Sequence, residues 1–337
     1  MEVYTIRDIA RLAGVSVTTV SRVLNHRPDV KKETRARVEA TIAKYNFVGN
    51  ENARGLKQTD NEVIGLIIRG RSNPFLNALS EAILSRAEML PANIVTEYID
   101  EKDDEFKTAF RLMQQRRICG LIFVGSRIDE RVGILHGSDV PMVFTTVDGK
   151  NAGLPNASSV SIDDYALGCR VAEDLIACGH TRIALLGTGR LSGDSLSNRL
   201  DGVLETLKKH SIVTDDSMFR ESRFSMKDGY DCAYSFFLEH PDTTAVFAMS
   251  DTIAIGAIRA LRDLGKSVPD DVSVFGFDGI EIGRYTLPAL TTVEQPVEEI
   301  AGTSVDLLKD MIENGAAPRH VRVNAEIIHR ESVRSIL

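Results

Sequence analysis

The stretch "GVSVTTVSR", residues 14–22, decides how the chain begins. Gly14 interrupts an apolar helical pattern, Ser16 is a good N-cap, and "VTTVSRVL" resumes helical spacing at once, so two short helices meet at a tight turn. That spacing puts Val20, Val23 and Leu24 on the side of the preceding helix and Val17, Thr18, Ser21 and Arg22 on the opposite side. Upstream, Thr5 caps "IRDIARLA", where Ile6, Ile9, Ala10 and Ala13 recur at helical spacing. Downstream, "NHRPDV" leads into a third helix striped by Val38, Ile42 and Tyr45.

A pair of short helices with a polar outer face on the second is a helix-turn-helix, whose second helix fits the major groove of DNA. Arg22 can pair bidentately with guanine and Val17 can touch a thymine methyl, with Thr18 beside them. Thr5, Thr19 and Ser21 are better placed to contact phosphates. Charge agrees with this division. The chain carries −8 overall, yet residues 1–60 hold 11 Lys and Arg against 7 Asp and Glu, leaving 29 basic and 41 acidic residues for the rest. A basic head on an acidic body assigns polyanion binding to the head.

The 337 residues allow two or three domains, and 43% hydrophobic with 26% charged residues is the composition of a globular protein. No apolar run nears the ~20 residues of a membrane span, and the charged start has no signal-peptide core, so a cytoplasmic protein is expected. The four cysteines form no C-x-x-C pair, and the seven histidines show no metal-ligand spacing. "GTGRLSG", 187–193, is a poor dinucleotide loop because its helix begins too late, and G-x-S-x-G is absent. Neither an enzyme nor a cofactor is expected.

Residues 48–62, "VGNENARGLKQTDNE", are polar and read as a linker. From Val63 onward apolar strands alternate with helical stretches: "EVIGLII", "NIVTEYI", "GLIFVG", "PMVFTT", "RIALLG", "TAVFAM" and "VSVFGFD". Such alternation implies parallel sheets covered on both faces. The series divides into halves, roughly 63–160 and 161–337, expected to form two lobes around a cleft.

"YTIRDIARLAGVSVTTVSRVLNHRPDVKKETRARV" resembles the head of the lactose/galactose repressor (LacI/GalR) family, and the likeness continues through "ENARGLK" along essentially the whole chain. The resemblance implies an α/β protein: a three-helix helix-turn-helix head (1–48), a hinge helix (49–61) and a two-lobed core like that of periplasmic binding proteins (62–337). It implies a hinge that forms on operator DNA, with Asn50, Ala53, Leu56 and Lys57 as contacts and Leu56 wedged into the minor groove. An apolar wedge between base steps is a known way to kink DNA. The alternative is that Leu56 caps the body. Gly49 stands where the family usually has proline and Gly55 where it has a better helix former, so this hinge is expected to be coil until DNA orders it.

In open parallel sheets ligands bind beyond the carboxyl ends of the strands, where this sequence is polar and where Phe75 and Phe224 offer rings for a sugar face. By resemblance, Arg199 of "NRLDG" and Asp278 of "GFDG" match the most diagnostic effector contacts. Phe75, Phe224, Ser250, Asp251 and Gln295 match further positions, and Asp148 of "TTVDG" is the acid left on an altered wall. Arg69, Arg71, Arg127 and Arg190 follow strands and either solvate the rim or select an anionic ligand such as a sugar acid or phosphosugar. Arg199 and Asp278 could equally form a structural ion pair. The family pattern implies a homodimer on a palindromic operator, with 75–90 and 251–264 as dimer elements, and a carbohydrate effector acting as inducer or co-repressor. The ending "IIHRESVRSIL" shows no apolar heptads, so no tetramerising tail is expected.

Overall fold

The computed structural model describes residues 6–24, 30–44, 62–187, 195–213 and 215–337. The expected contacts Thr5, Asn50, Ala53, Leu56 and Lys57, the Ser21 side chain, and Arg190 lie outside the described residues. Two compact units emerge, Met1–Asn61 and Glu62–Leu337.

In the first unit, α1 (Ile6–Ala13), α2 (Val17–Leu24) and α3 (Lys32–Lys44) close on Ala10, Ala13, Val20, Val23 and Val38, with Val15, Val30 and Ile42 at the margin. Gly14 makes the turn at φ 63°, a left-handed conformation that costs glycine nothing. The Val15 amide donates back to the Ala10 carbonyl at 3.0 Å, ending α1. Ser16 caps α2 through its hydroxyl, which accepts from the Thr19 amide at 3.1 Å.

The second unit holds two six-stranded sheets among its described residues. The first contains β1 (Val63–Arg69), β2 (Asn93–Ile99), β3 (Ile118–Val124), β4 (Met142–Thr145), β5 (Ala157–Ser161) and β11 (His320–Arg322), all parallel in the order β11-β5-β4-β3-β1-β2. The second contains β6 (Ile183–Leu186), β7 (Phe219–Arg220), β8 (Ala245–Ala248), β9 (Ser273–Asp278), β10 (Thr291–Glu294) and β12 (Glu326–Ile328). Its order is β12-β10-β9-β8-β6-β7, with only β12 antiparallel. Helices on both faces keep the inner strands dry, which explains apolar runs such as "GLIFV" in place of alternation. No described helix is long and apolar enough to cross a membrane.

The expected division into consecutive halves needs correction. The last long helix, α10 (Val297–Asn314), returns to the first lobe, and β11 pairs with β5 there before β12 crosses back to β10. Ser304 of α10 bonds Thr145 of β4 at 3.0 Å, while Val305 and Leu308 join the first lobe's core. The physical reason is edge and face coverage: without β11 and α10 the first sheet would expose β5 and one apolar face. The chain therefore passes between lobes near 162, 296 and 324, and Asp164 and Gln295, beside the first two crossings, line the cleft.

Candidate functional site

The first unit presents Val17, Thr18 and Arg22 outward from α2; Val17 is 41% exposed. The apolar partners of these residues on the same helix, Val20 and Val23, are fully committed to the core. Thr19 is half-buried and its hydroxyl shares a 2.8 Å hydrogen bond with Ser16, so it serves the start of the helix as well as any phosphate.

In the second unit a cavity of about 670 Å³ lies between the lobes and touches residues beyond the carboxyl ends of β1, β3, β8 and β9. Arg199, from α7 (Ser195–Lys209), is its inner cation. Its Nε and Nη2 donate to one oxygen of Asp164 at 3.1 and 2.7 Å, and its Nη1 donates to the Met249 carbonyl at 2.7 Å. The guanidinium carbon lies 3.2 Å from the centre of the Phe277 ring. Asp164 is the first residue of α6 (Asp164–Ala177), directly after the first lobe crossing. A guanidinium this buried can hold only a ligand placed within reach of its remaining edge, which makes it a positioning device for hydroxyls.

Asp278 ends β9 at φ 113°, a sparsely populated conformation for a side-chain-bearing residue. Gln295, on the second crossing, donates to its Oδ1 at 2.9 Å. Burial pushes the Asp278 carboxyl well above the usual carboxylate range, with Arg199 opposing and Asp251 and Asp164 adding to the rise. Phe75 and Phe224 line the same cavity, so Phe75, Arg199, Phe224, Asp278 and Gln295 are brought together.

Three expected residues are not brought to that cavity. Asp148 accepts from the Lys150 amide at 3.0 Å in its own turn and sits 3.7 Å from Arg322 at the end of β11. Ser250 is fully buried as the N-cap of α9 (Asp251–Asp263), where it accepts from Ile253. Asp251 points inward, accepting from the Thr292 hydroxyl at 2.6 Å and the Ile280 amide at 2.8 Å. It anchors the loop behind Asp278, and burial raises it to about 7.

Of the arginines that follow strands, Arg69 lines the cavity but donates to the carbonyls of Glu101 and Gly125 and faces Glu105 at 3.7 Å. Arg71 bonds the Tyr98 carbonyl and Arg127 faces Asp129 at 3.3 Å, both outside the cavity lining. Sequence reasoning missed Asp164 and a bridge between the lobes: Arg223 pairs with Asp100 and Glu101, and the Phe224 amide donates to Glu101 at 3.3 Å.

Known proteins are similar to this chain in sequence and fold. A family profile described as bacterial regulatory proteins, lacI family, matches residues 5–50, and one described as a periplasmic binding protein-like domain matches 172–333. The HTH-type transcriptional regulator MalR of Clostridium butyricum is 34% identical over 98% of this chain and 99% of its own. A Lac repressor dimer bound to operator and the anti-inducer ONPF is similar with TM-score 0.71 and 28% identity, covering 99% of this chain and 100% of that one. A complex of the transcriptional regulator CelR with cellobiose gives TM-score 0.70 at 25% identity, covering 98% and 99%. The chain belongs to the LacI family of bacterial regulatory proteins, DNA-binding transcriptional regulators that respond to a ligand.

Proposed function

We propose that the chain represses carbohydrate-utilisation genes, binding operator DNA as a homodimer through α2 and letting go when an uncharged carbohydrate enters the cleft between the lobes of its second unit. The observation that carries the choice of ligand is the state of the cavity's arginines. Arg199 is engaged by Asp164, Arg223 by Asp100 and Glu101, and Arg69 by two carbonyls and Glu105. Apart from Lys102, which also lines the cavity, a phosphosugar or sugar acid would have to break one of these pairings to find a counter-charge. Sugar hydroxyls instead need the mixed donors and acceptors that Asp278, Gln295 and Asn73 offer beside two rings. The cellobiose held by the similar CelR supports the same class.

Val17, Thr18 and Arg22 read bases, and Thr5, Thr19, Ser21, Asn50, Ala53, Leu56 and Lys57 position the head and hinge. Two-fold symmetry then sets two recognition helices about one helical turn apart. The dimer surface we favour lies at 282–287, where Ile282, Tyr285 and Leu287 are 47%, 75% and 88% exposed. Of the dimer elements implied by the resemblance, α9 leaves Ile255 and Ile258 half-buried, and 75–90 leaves Leu84 and Met89 36% and 47% exposed. Moving a population from 99:1 bound to 1:99 takes about 5.5 kcal/mol of differential affinity, within reach of a clamp of several buried polar contacts. A thermal-shift screen of neutral sugars, sugar acids and phosphosugars tests the ligand class. A neutral sugar at 100 times its Kd should stabilise by about 2.7 kcal/mol, and stabilisation by phosphosugars alone would overturn the reading.

A further inference from the structure

The carboxylates around Arg199 outnumber it. Among the described residues Asp164 of α6, Asp278 of β9 and Asp251 of α9 gather at the end of β9, with exposures of 6%, 7% and 0%. Arg199 is the guanidinium that acts on Asp278, and two of its hydrogen bonds go to Asp164. Farther out, Glu294 of β10 is held by Arg284 at 3.1 Å and Arg330 at 3.6 Å, so those cations are already matched.

Neutral donors separate the remaining two acids. Asp251 receives the Thr292 hydroxyl and the backbone amides of Ile280 and Gly279, which favour its charged form. Asp278 receives the Gln295 amide at 2.9 Å. A buried carboxylate with one neutral donor and its neighbouring cation committed elsewhere is expensive to keep charged. Asp278 is also the one of this pair that lines the cavity.

We propose that Asp278 holds a proton in the ligand-free cleft at neutral pH and meets the effector as an uncharged, hydrogen-bond-donating acid, so that the inner wall selects uncharged hydroxyl-rich ligands over phosphates and carboxylates. This rests on the cleft being the effector site. At the cavity wall the charges then balance: Arg199 with Asp164 is a neutral pair and Asp278 is neutral, Asp251 lies outside the cavity lining on its own donors, and a sugar hydroxyl can accept from the carboxyl O–H while donating elsewhere. Binding buries no new charge. An anion would lie near Asp164, which already takes two of the hydrogen bonds of Arg199.

The decisive test needs no ligand. The folding equilibrium of the full chain and of Asp278→Asn, whose amide copies the neutral acid, is measured by urea unfolding at steps from about pH 5 to pH 9. A group raised in the folded state loses its stabilising contribution as pH climbs toward the folded value. Wild type should therefore fall relative to the variant by about tenfold in folding constant per pH unit until that value is passed. Asp251 titrates in both chains. Parallel curves would overturn the proposal.

Adding Asp164→Asn releases Arg199 toward Asp278, so the difference between this chain and its Asp278→Asn derivative should flatten; an unchanged slope contradicts the charge count. If either variant fails to fold, infrared difference spectra of wild type at neutral and alkaline pH read the protonated carboxyl stretch directly, and its absence at neutral pH overturns the proposal. With cellobiose as probe, affinity should fall with rising pH in wild type and not in Asp278→Asn. Failure of cellobiose to bind either chain counts against that sugar as effector, while the ligand-free curves still decide the proton.

Discussion

At the scale of single residues, Asp278 combines a strained backbone with a buried acid. A side-chain-bearing residue at φ 113° costs about 1–3 kcal/mol, a cost borne where the surroundings fix the geometry. Asp278→Ala, which removes both donor and acceptor, should weaken effector binding by about 2–3 kcal/mol, read as the ratio of operator affinity with and without sugar. Loss of folding instead would favour a purely structural role. Arg22→Ala should cost about 1–3 kcal/mol of discrimination between operator and single-base variants, and an undiminished base preference would refute its readout role. His180 is buried, sharing hydrogen bonds with Thr244 and Ser273 at 3.0 Å and the Arg334 carbonyl at 3.2 Å. Burial lowers its ring below the ordinary 6.5, so the neutral ring's contribution is present above that value and lost as pH falls through the folded one. His180→Gln should flatten the loss of stability on acidification below about pH 6.5, as followed by urea midpoints.

Among the elements, α6 and α7 explain why Arg199 is held so closely. A Cβ on Gly168 would stand 2.1 Å from the Arg199 carbonyl oxygen, so the two helices touch backbone to backbone. Gly168→Ala should destabilise by about 1–3 kcal/mol through overpacking, visible as a lowered Tm, and should weaken ligand binding by shifting Arg199. The same region shows what the sequence could and could not reveal. Asp278 stands where an apolar strand announces a turn toward a cleft, whereas Arg199, within a helix, was legible through the family resemblance of "NRLDG". Asp164 was not, since β5 reads "ASSVS" and lacks the apolar run that would mark its carboxyl end. Asp251 follows β8 as the rule requires, yet as the first residue of α9 it turns to Thr292 and Ile280 instead of the cavity. Strand ends locate loops; the direction of each side chain depends on donors supplied by distant β10.

For the whole molecule, the three crossings between lobes tie the cleft to the first lobe's α10 and β11, which the pattern of alternating strands did not reveal. Gln295 lies on one crossing and Asp164 directly follows another, so residues of the proposed site sit on or beside the links between lobes. Leu287→Asp should shift the chain toward monomer in analytical ultracentrifugation and weaken operator binding with it; an undisturbed dimer would move the interface elsewhere. The central claim, that a neutral sugar in the cleft makes α2 release DNA, is tested most directly by fluorescence anisotropy. The full chain is titrated onto an operator selected from random duplex DNA, with and without the neutral sugar that stabilises it most. Operator affinity should fall at least about a hundredfold, some 2.7 kcal/mol, when sugar is saturating. Unchanged or tightened binding would contradict it.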